Sequence, residues 1–194
     1  MASNFISYTK HGVAESTLLK ATKVGHHYNL VNESKDIDNG SVAVIGDRKK
    51  ADVFEAKVPA KGDKIVLILT APKIYGEYTT KMQEESNFYN GKGEVMRAYE
   101  IQDTDRFTLS TEAFNSDAEL AVGKYVFVDG TDFKLTTGEK PAMTEYGFVG
   151  HIYEVAANGN YLTFADANGV QYTYTGTLSF VDMKIGRASC RERV

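Results

Sequence analysis

Few residues in this chain have the types and spacing for chemistry. Four histidines, His11, His26, His27 and His151, are available as metal ligands or acid–base groups. His26 and His27 are adjacent, and neighbours in an extended chain face opposite sides, so this pair does not easily chelate one ion. Asp36-Ile37-Asp38-Asn39-Gly40 and Asp129-Gly130-Thr131-Asp132 collect acidic oxygens at turns. Calcium takes about 6–8 oxygens, and neither run has the spacing of an EF-hand loop. Asx turns, in which the side chain caps its own backbone, account for both. Glu84 and Glu85 are neighbours, whereas a general acid–base pair must converge across a cleft. Asn90-Gly91-Lys92-Gly93 lacks the Walker pattern of a phosphate loop. No Gly-x-Ser-x-Gly elbow and no His-Glu-x-x-His helix is present. The expectation is a protein that is not an enzyme and that uses no metal or cofactor.

A dense aromatic and polar block stands out instead. Pro72, Ile74, Tyr75, Tyr78, Phe88 and Tyr89 are followed shortly by Arg97 and Tyr99. Tyr and Arg suit interfaces, because each joins a large contact area to a hydrogen-bonding tip. Core packing, with tyrosine hydroxyls reaching water, is the competing explanation. With the N-terminal aromatics, the candidate interface set is Phe5, Tyr8, Tyr75, Tyr78, Phe88, Tyr89, Arg97 and Tyr99.

These side chains sit among β-type signals. Asn39-Gly40, Asn90-Gly91, Asp129-Gly130, Asn158-Gly159 and Asn168-Gly169 are hairpin-type dipeptides, tolerant of positive φ. Around them lie runs rich in β-branched and aromatic residues. Residues 124–128 and 131–135 read as a hairpin about Asp129-Gly130. Residues 161–164 and 170–174 read as another, with Asn168-Gly169 near its tip. Residues 148–155 pair with 161–164 across Asn158-Gly159. Strands are also expected at 41–45, 95–101 and 106–109. Residues 64–69, nearly all apolar, predict a central strand buried on both sides, ended by Pro72. Short helices are placed within 14–23 and 76–88, where good helix formers collect. The fold class is mainly β: an antiparallel β-sandwich or barrel-like body with short helices and an extended N-terminal arm.

Composition is that of a folded protein, 42% hydrophobic and 25% charged. The last residues stand apart. Residues 184–194 resemble a translated sequencing adapter, and they hold the chain's single cysteine, Cys190, with Arg187, Arg191 and Arg193. We set this segment aside as non-native. Without residues 185–194 the net charge is -6. That argues against a nucleic-acid partner, which needs a clustered basic face. No apolar run approaches the roughly 20 residues of a membrane span, so no membrane partner is expected. The organisation reads as an arm at 1–28, a β-rich domain at 29–115, a C-terminal β meander at 118–183, and the tail at 184–194.

Five stretches carry a resemblance. Asp36-Ile37-Asp38-Asn39-Gly40-Ser41-Val42, the run 65–72 ending in Thr70-Ala71-Pro72, Glu85-Ser86-Asn87-Phe88-Tyr89-Asn90-Gly91-Lys92-Gly93-Glu94, and Arg97-Ala98-Tyr99 with 105–110 are the residues concerned. Together they resemble head decoration (cement) proteins of tailed phages and prophages of Gram-positive bacteria, over roughly residues 1–135. The resemblance implies a virion structural protein on the capsid exterior, made in the bacterial host cytoplasm. Its implied partners are the major capsid protein and further copies of itself, a trimer favoured; it carries over no catalytic residue. In that role the arm orders against the shell. The other reading is a β-sandwich adhesion module binding host-surface carbohydrate through Tyr75, Tyr78, Tyr172 and Tyr174. The absence of Trp, the best sugar-stacking ring, weakens it.

Overall fold

Val66, Leu67 and Ile68 are each at most 4% exposed. In an extended strand successive side chains leave opposite faces, so this segment needs a core on both sides. The computed structural model supplies two. It describes residues 11–15, 17–72, 85–141, 145–165 and 171–185, with the backbone alone in 156–165 and 171–185.

In chain order the elements are β1 (Ala14–Glu15), α1 (Lys20–Val24), β2 (His27–Val31), β3 (Val42–Lys50), β4 (Val53–Lys57), β5 (Val66–Ile68), β6 (Val95–Glu100), β7 (Arg106–Ser110), β8 (Tyr125–Phe127), β9 (Thr136–Gly138), β10 (Gly150–Ala165) and β11 (Gln171–Ile185). Single 3₁₀ turns occupy Glu85–Asn87 and Thr111–Ala113. Five strands close a barrel in the order β2-β4-β3-β5-β6. Six form a sheet in the order β1-β7-β11-β10-β8-β9. The mainly β, barrel-containing body expected from the sequence is what the chain forms.

β5 lies between β3 and β6 in the barrel wall. Val66 and Ile68 join Leu30, Ala43, Met96, Ala98 and Phe133 in one apolar cluster. Leu67, with Val42 and Ile65, joins Phe107, Leu109, Val126, Leu135 and Ile152 in another. The first cluster fills the barrel, and the second packs the barrel wall on the six-stranded sheet. β3 divides the same way, Val42 to the second cluster and Ala43 to the first.

Several connections differ from the sequence expectation. One barrel pair is parallel: β2 beside β4, Asn29 opposite Val53. β3 crosses to the far side of the barrel, and β4 folds back between it and β2. Asn39-Gly40 therefore turns into β3 without making a hairpin, since β2 and β3 are not neighbours. The two-residue turn at Ala51-Asp52, between Lys50 and Val53, has no Asn-Gly signal. Ala51 itself takes φ 39°, and its carbonyl accepts a hydrogen bond from Arg48 Nε.

The hairpin around Asp129-Gly130 is wider than expected. β8 pairs with Thr136–Gly138, not with residues 131–135. The backbone of 131–135 is engaged elsewhere: Val42 N–H donates to Phe133 O, Leu135 N–H to Ala113 O, and Asn115 N–H to Leu135 O. Phe133 and Leu135 enter the two clusters from this loop. Asn158-Gly159 makes no turn. β10 runs straight through it, with Asn158 opposite Leu178 and Gly159 opposite Thr177. A turn there would exchange a ladder of fifteen positions for a short one. The expected tip at Asn168-Gly169 lies outside the described residues. β11 pairs as far as Ile185, so the first two residues of the presumed tail, Lys184 and Ile185, sit in the ladder.

The described part of 11–28 joins the body through a few residues. β1 pairs with β7, and Leu19 and Ala21 are fully buried. Of the helix expected within 14–23, only residues 20–23 are helical, in α1, which runs on to Val24. It has no side-chain cap of its own, and buried Asp105 accepts the Lys20 N–H at 3.2 Å. Of the helix expected within 76–88, residues 76–84 lie outside the described residues, and 85–87 form one 3₁₀ turn.

Candidate interaction surface

Four of the sequence stretches singled out above, from Ile37 to Arg97, meet in one hydrogen-bonded seam. Ile37 and Asn90 exchange backbone hydrogen bonds at 2.9 Å in both directions. The Asn90 amide donates to Ile37 O at 2.9 Å and to Asn39 Oδ1 at 3.2 Å. Asn39 pairs with Thr70 twice, accepting its N–H at 3.0 Å and donating to its carbonyl at 2.9 Å. Thr70 Oγ1 then accepts the Arg97 N–H at 3.0 Å. Asn39 and Asn90 are 6% and 4% exposed. Their amides hold three chain segments together where the sequence suggested only tight turns.

The acidic groups of the first stretch are committed to this seam. Asp36 Oδ1 accepts the Lys92 N–H at 2.7 Å. Asp38 accepts the Gly12 N–H at 3.3 Å, and its Oδ1 lies 2.8 Å from His11 Nδ1. Asp129 makes the expected Asx turn, accepting from both the N–H and the hydroxyl of Thr131. Among the described residues no group of three or more His, Cys, Asp or Glu side chains is placed to hold a metal ion.

Because buried amides carry the seam, its loss has a definite cost. Asn90→Ala removes two buried hydrogen bonds, to Ile37 O and Asn39 Oδ1, and removes volume from a buried site. We expect a loss of about 2 kcal/mol, since each hydrogen bond contributes about 0.5–1.5. In thermal denaturation that is a fall of about 4–8 °C for a chain of this size.

The seam brings part of the candidate interface set to one region. Tyr89 precedes Asn90, is 43% exposed, and stacks on His11 with ring centroids 4.7 Å apart. Phe88 beside it is half-buried. Arg97 is exposed on the outer face of β6, two residues from Val95, itself 51% exposed. Opposite them on β2 lie Asn29, facing Arg97, and His27, facing Tyr99. Tyr99 has a different use: half-buried, it packs against the cluster between barrel and sheet. Packing therefore accounts for Tyr99, whereas Tyr89 and Arg97 are exposed. Phe5, Tyr8, Tyr75 and Tyr78 lie outside the described residues.

A second feature was not anticipated from the sequence. A groove of about 410 Å³ opens where β2 and β4 part, lined by Asn32, Lys35, Lys49, Lys57, Val58 and Phe133 among others. Three lysines suggest an anion site, but each ammonium already has a carboxylate. Lys35 pairs with Asp132, Lys57 with Asp47 at 2.7 Å, and Lys49 with Glu55 at 3.6 Å. Burial raises the Asp132 pKa, but the Lys35 ammonium and the Phe133 N–H outweigh it and hold the carboxyl below its ordinary value. The groove is thus a neutralised crease in the barrel.

No helix among the described residues is long and apolar enough to cross a membrane. Comparisons with protein-family models, with curated proteins and with solved structures find no match to this chain.

Proposed function

We propose that this protein is a virion structural protein that decorates and stabilises the exterior of a phage capsid through protein–protein contacts. One observation carries the reading beyond the sequence resemblance. Stretches that bear the resemblance converge in the Asn39–Thr70–Asn90 seam, which sets exposed Tyr89 and Arg97 on the surface above a rigid barrel. An exposed aromatic and an exposed arginine on a fixed β scaffold suit recognition by surface area. The partners in this reading are the major capsid protein and further copies of the chain.

The test begins with virus particles purified from the source material and quantitative peptide mass spectrometry. Peptides from residues 1–183 at copy numbers near that of the shell protein are the expected result. Absence from particles, or only a few copies per particle, overturns the reading, and an adhesin then becomes the better description. Contact is tested by adding the protein back to particles stripped of it. Arg97→Glu should weaken rebinding by about tenfold or more, as loss of an interface arginine commonly does. The role of the N-terminus calls for a truncation of residues 2–10 only. Removing all of 1–28 also removes β1, α1 and buried Leu19, and is expected to destabilise the body itself.

A further inference from the structure

β10 and β11 are far longer than any other strand, 16 and 15 residues. Their neighbours cover only the base. β8 pairs with β10 at Gly150 and His151, and β7 pairs with β11 from Phe180 to Lys184. From Ala157↔Ser179 to Ala165↔Gln171, nine consecutive positions, β10 and β11 pair with each other and with no third strand among the described residues. At about 3.4 Å per residue this two-stranded ribbon is roughly 30 Å long.

Such a ribbon is a poor structure by itself. An isolated two-stranded hairpin is at best marginally stable in water. Its open edges also invite pairing, and proteins that must stay monomeric blunt such edges with charges, proline or bulges. None of those devices is here. Residues 155–165 and 171–181 contain no Asp, Glu, Lys, Arg or Pro, in a chain that is 25% charged. The one register irregularity lies at the base, between Ile152 and Glu154. The register also sorts the ribbon's residues by face. Leu162 opposite Tyr174 and Phe164 opposite Tyr172 fall on one face. Thr163 opposite Thr173, with Thr175 and Thr177, falls on the other.

We infer that the ribbon is a self-assembly arm: the free edge of β11 pairs with the same edge of a second copy of this chain, making a four-stranded sheet. Uncharged strands carry no repulsion between identical copies, which favours a second copy over an oppositely charged partner. β11 is the better edge, because it alternates Thr and Tyr, strong strand formers, from Gln171 to Thr175. β10 is interrupted by Asn158-Gly159-Asn160, which are weak ones. Edge-to-edge pairing of like strands is two-fold and antiparallel, so copies join in pairs. The inference does not rest on the capsid reading, since self-association is measured without a shell.

The experiment is sedimentation equilibrium on the full chain, with amide hydrogen exchange at low and high protein concentration. A dimer, or an even multiple, is expected, with protection of residues 171–179 rising with concentration. Thr175→Lys should weaken association by about tenfold or more, because lysine on an edge strand is a natural guard against pairing. Thr163→Lys, on the same face of β10, should leave association unchanged. An unaltered near-ultraviolet circular dichroism spectrum shows that the body remains folded in each variant. A wild-type monomer at ~100 μM, well above the affinities of specific interfaces, overturns the inference. So does a strict trimer, or equal association by Thr175→Lys and wild type. Protection that appears only when capsid particles are added assigns the edge to the shell protein and also overturns it.

Discussion

Leu67→Ala will cost this protein about 3–4 kcal/mol, in the middle of the range for a fully buried leucine. Leu67 is 0% exposed and sits on β5, between β3 and β6 in the barrel wall. It faces the cluster that joins the barrel to the six-stranded sheet, among Phe107, Leu109, Val126 and Leu135. Truncation leaves a cavity whose walls come from two separate sheets. Neither can close it without breaking ladder hydrogen bonds, so little of the lost contact is recovered. The expected fall in melting temperature is roughly 10 °C for a chain of this length. Leu18→Ala, at a leucine 58% exposed, is the control and should change stability by less than about 0.5 kcal/mol. Equal effects at the two positions would contradict a core shared by barrel and sheet.

Gly147→Ala is the second large effect, and its cause is steric. A Cβ at Gly147 would lie 2.1 Å from Asp63 O, 2.5 Å from Asp63 C and 2.6 Å from Gly62 O. These are backbone atoms of a turn tied by the Asp63 N–H to Ala60 O and by the Ala60 N–H to Asp63 Oδ2. The two segments are also joined, since Gly147 N–H donates to Lys61 O at 2.9 Å. Moving either one strains that bond and shifts Phe148, which is 5% exposed in the core. We expect a loss of about 3 kcal/mol, at the upper end of ordinary overpacking. Gly123 gives the contrast. It has φ 92° with nothing within 4 Å of a built Cβ, so Gly123→Ala meets only conformational strain, about 1 kcal/mol. Urea unfolding of both variants checks the ranking, and a smaller effect at Gly147 would mean that the 60–63 turn yields easily.

Local pattern was enough to place many strands. β3, β5, β6, β7 and β8 coincide with runs of β-branched, aromatic or alternating residues. The unbroken apolar run at 64–69 announced a strand buried on both faces, because period-two geometry leaves no face for water. β2 and β4 were missed. Their polar residues, Asn29 and Glu55 among them, weaken the pattern, and what keeps these strands in place is pairing with other segments, β2 with β6 and in parallel with β4, and β4 with β3. Such a pairing leaves no mark in either segment alone.

The turn dipeptides show the same division. Asn and Gly announce where positive φ is affordable, and Gly40 and Gly130 do take it. They do not announce what lies on either side. Asn39 and Asn90 became buried hydrogen-bonding hubs, and Asn158-Gly159 stayed within a strand. The candidate interface divided likewise: alternation along β6 put Arg97 and Tyr99 on one face, but the sheet covers Tyr99 and leaves Arg97 open. By itself, then, the sequence determined a mainly β chain, most of its strands and their buried faces. Those follow from side-chain period and φ preference, which act within a few residues. Tertiary structure alone decided which strands close the barrel, how residues 11–28 join the body, and which buried amides knit the seam. These depend on contacts between segments tens of residues apart, where many pairings satisfy the local pattern and only mutual packing selects one.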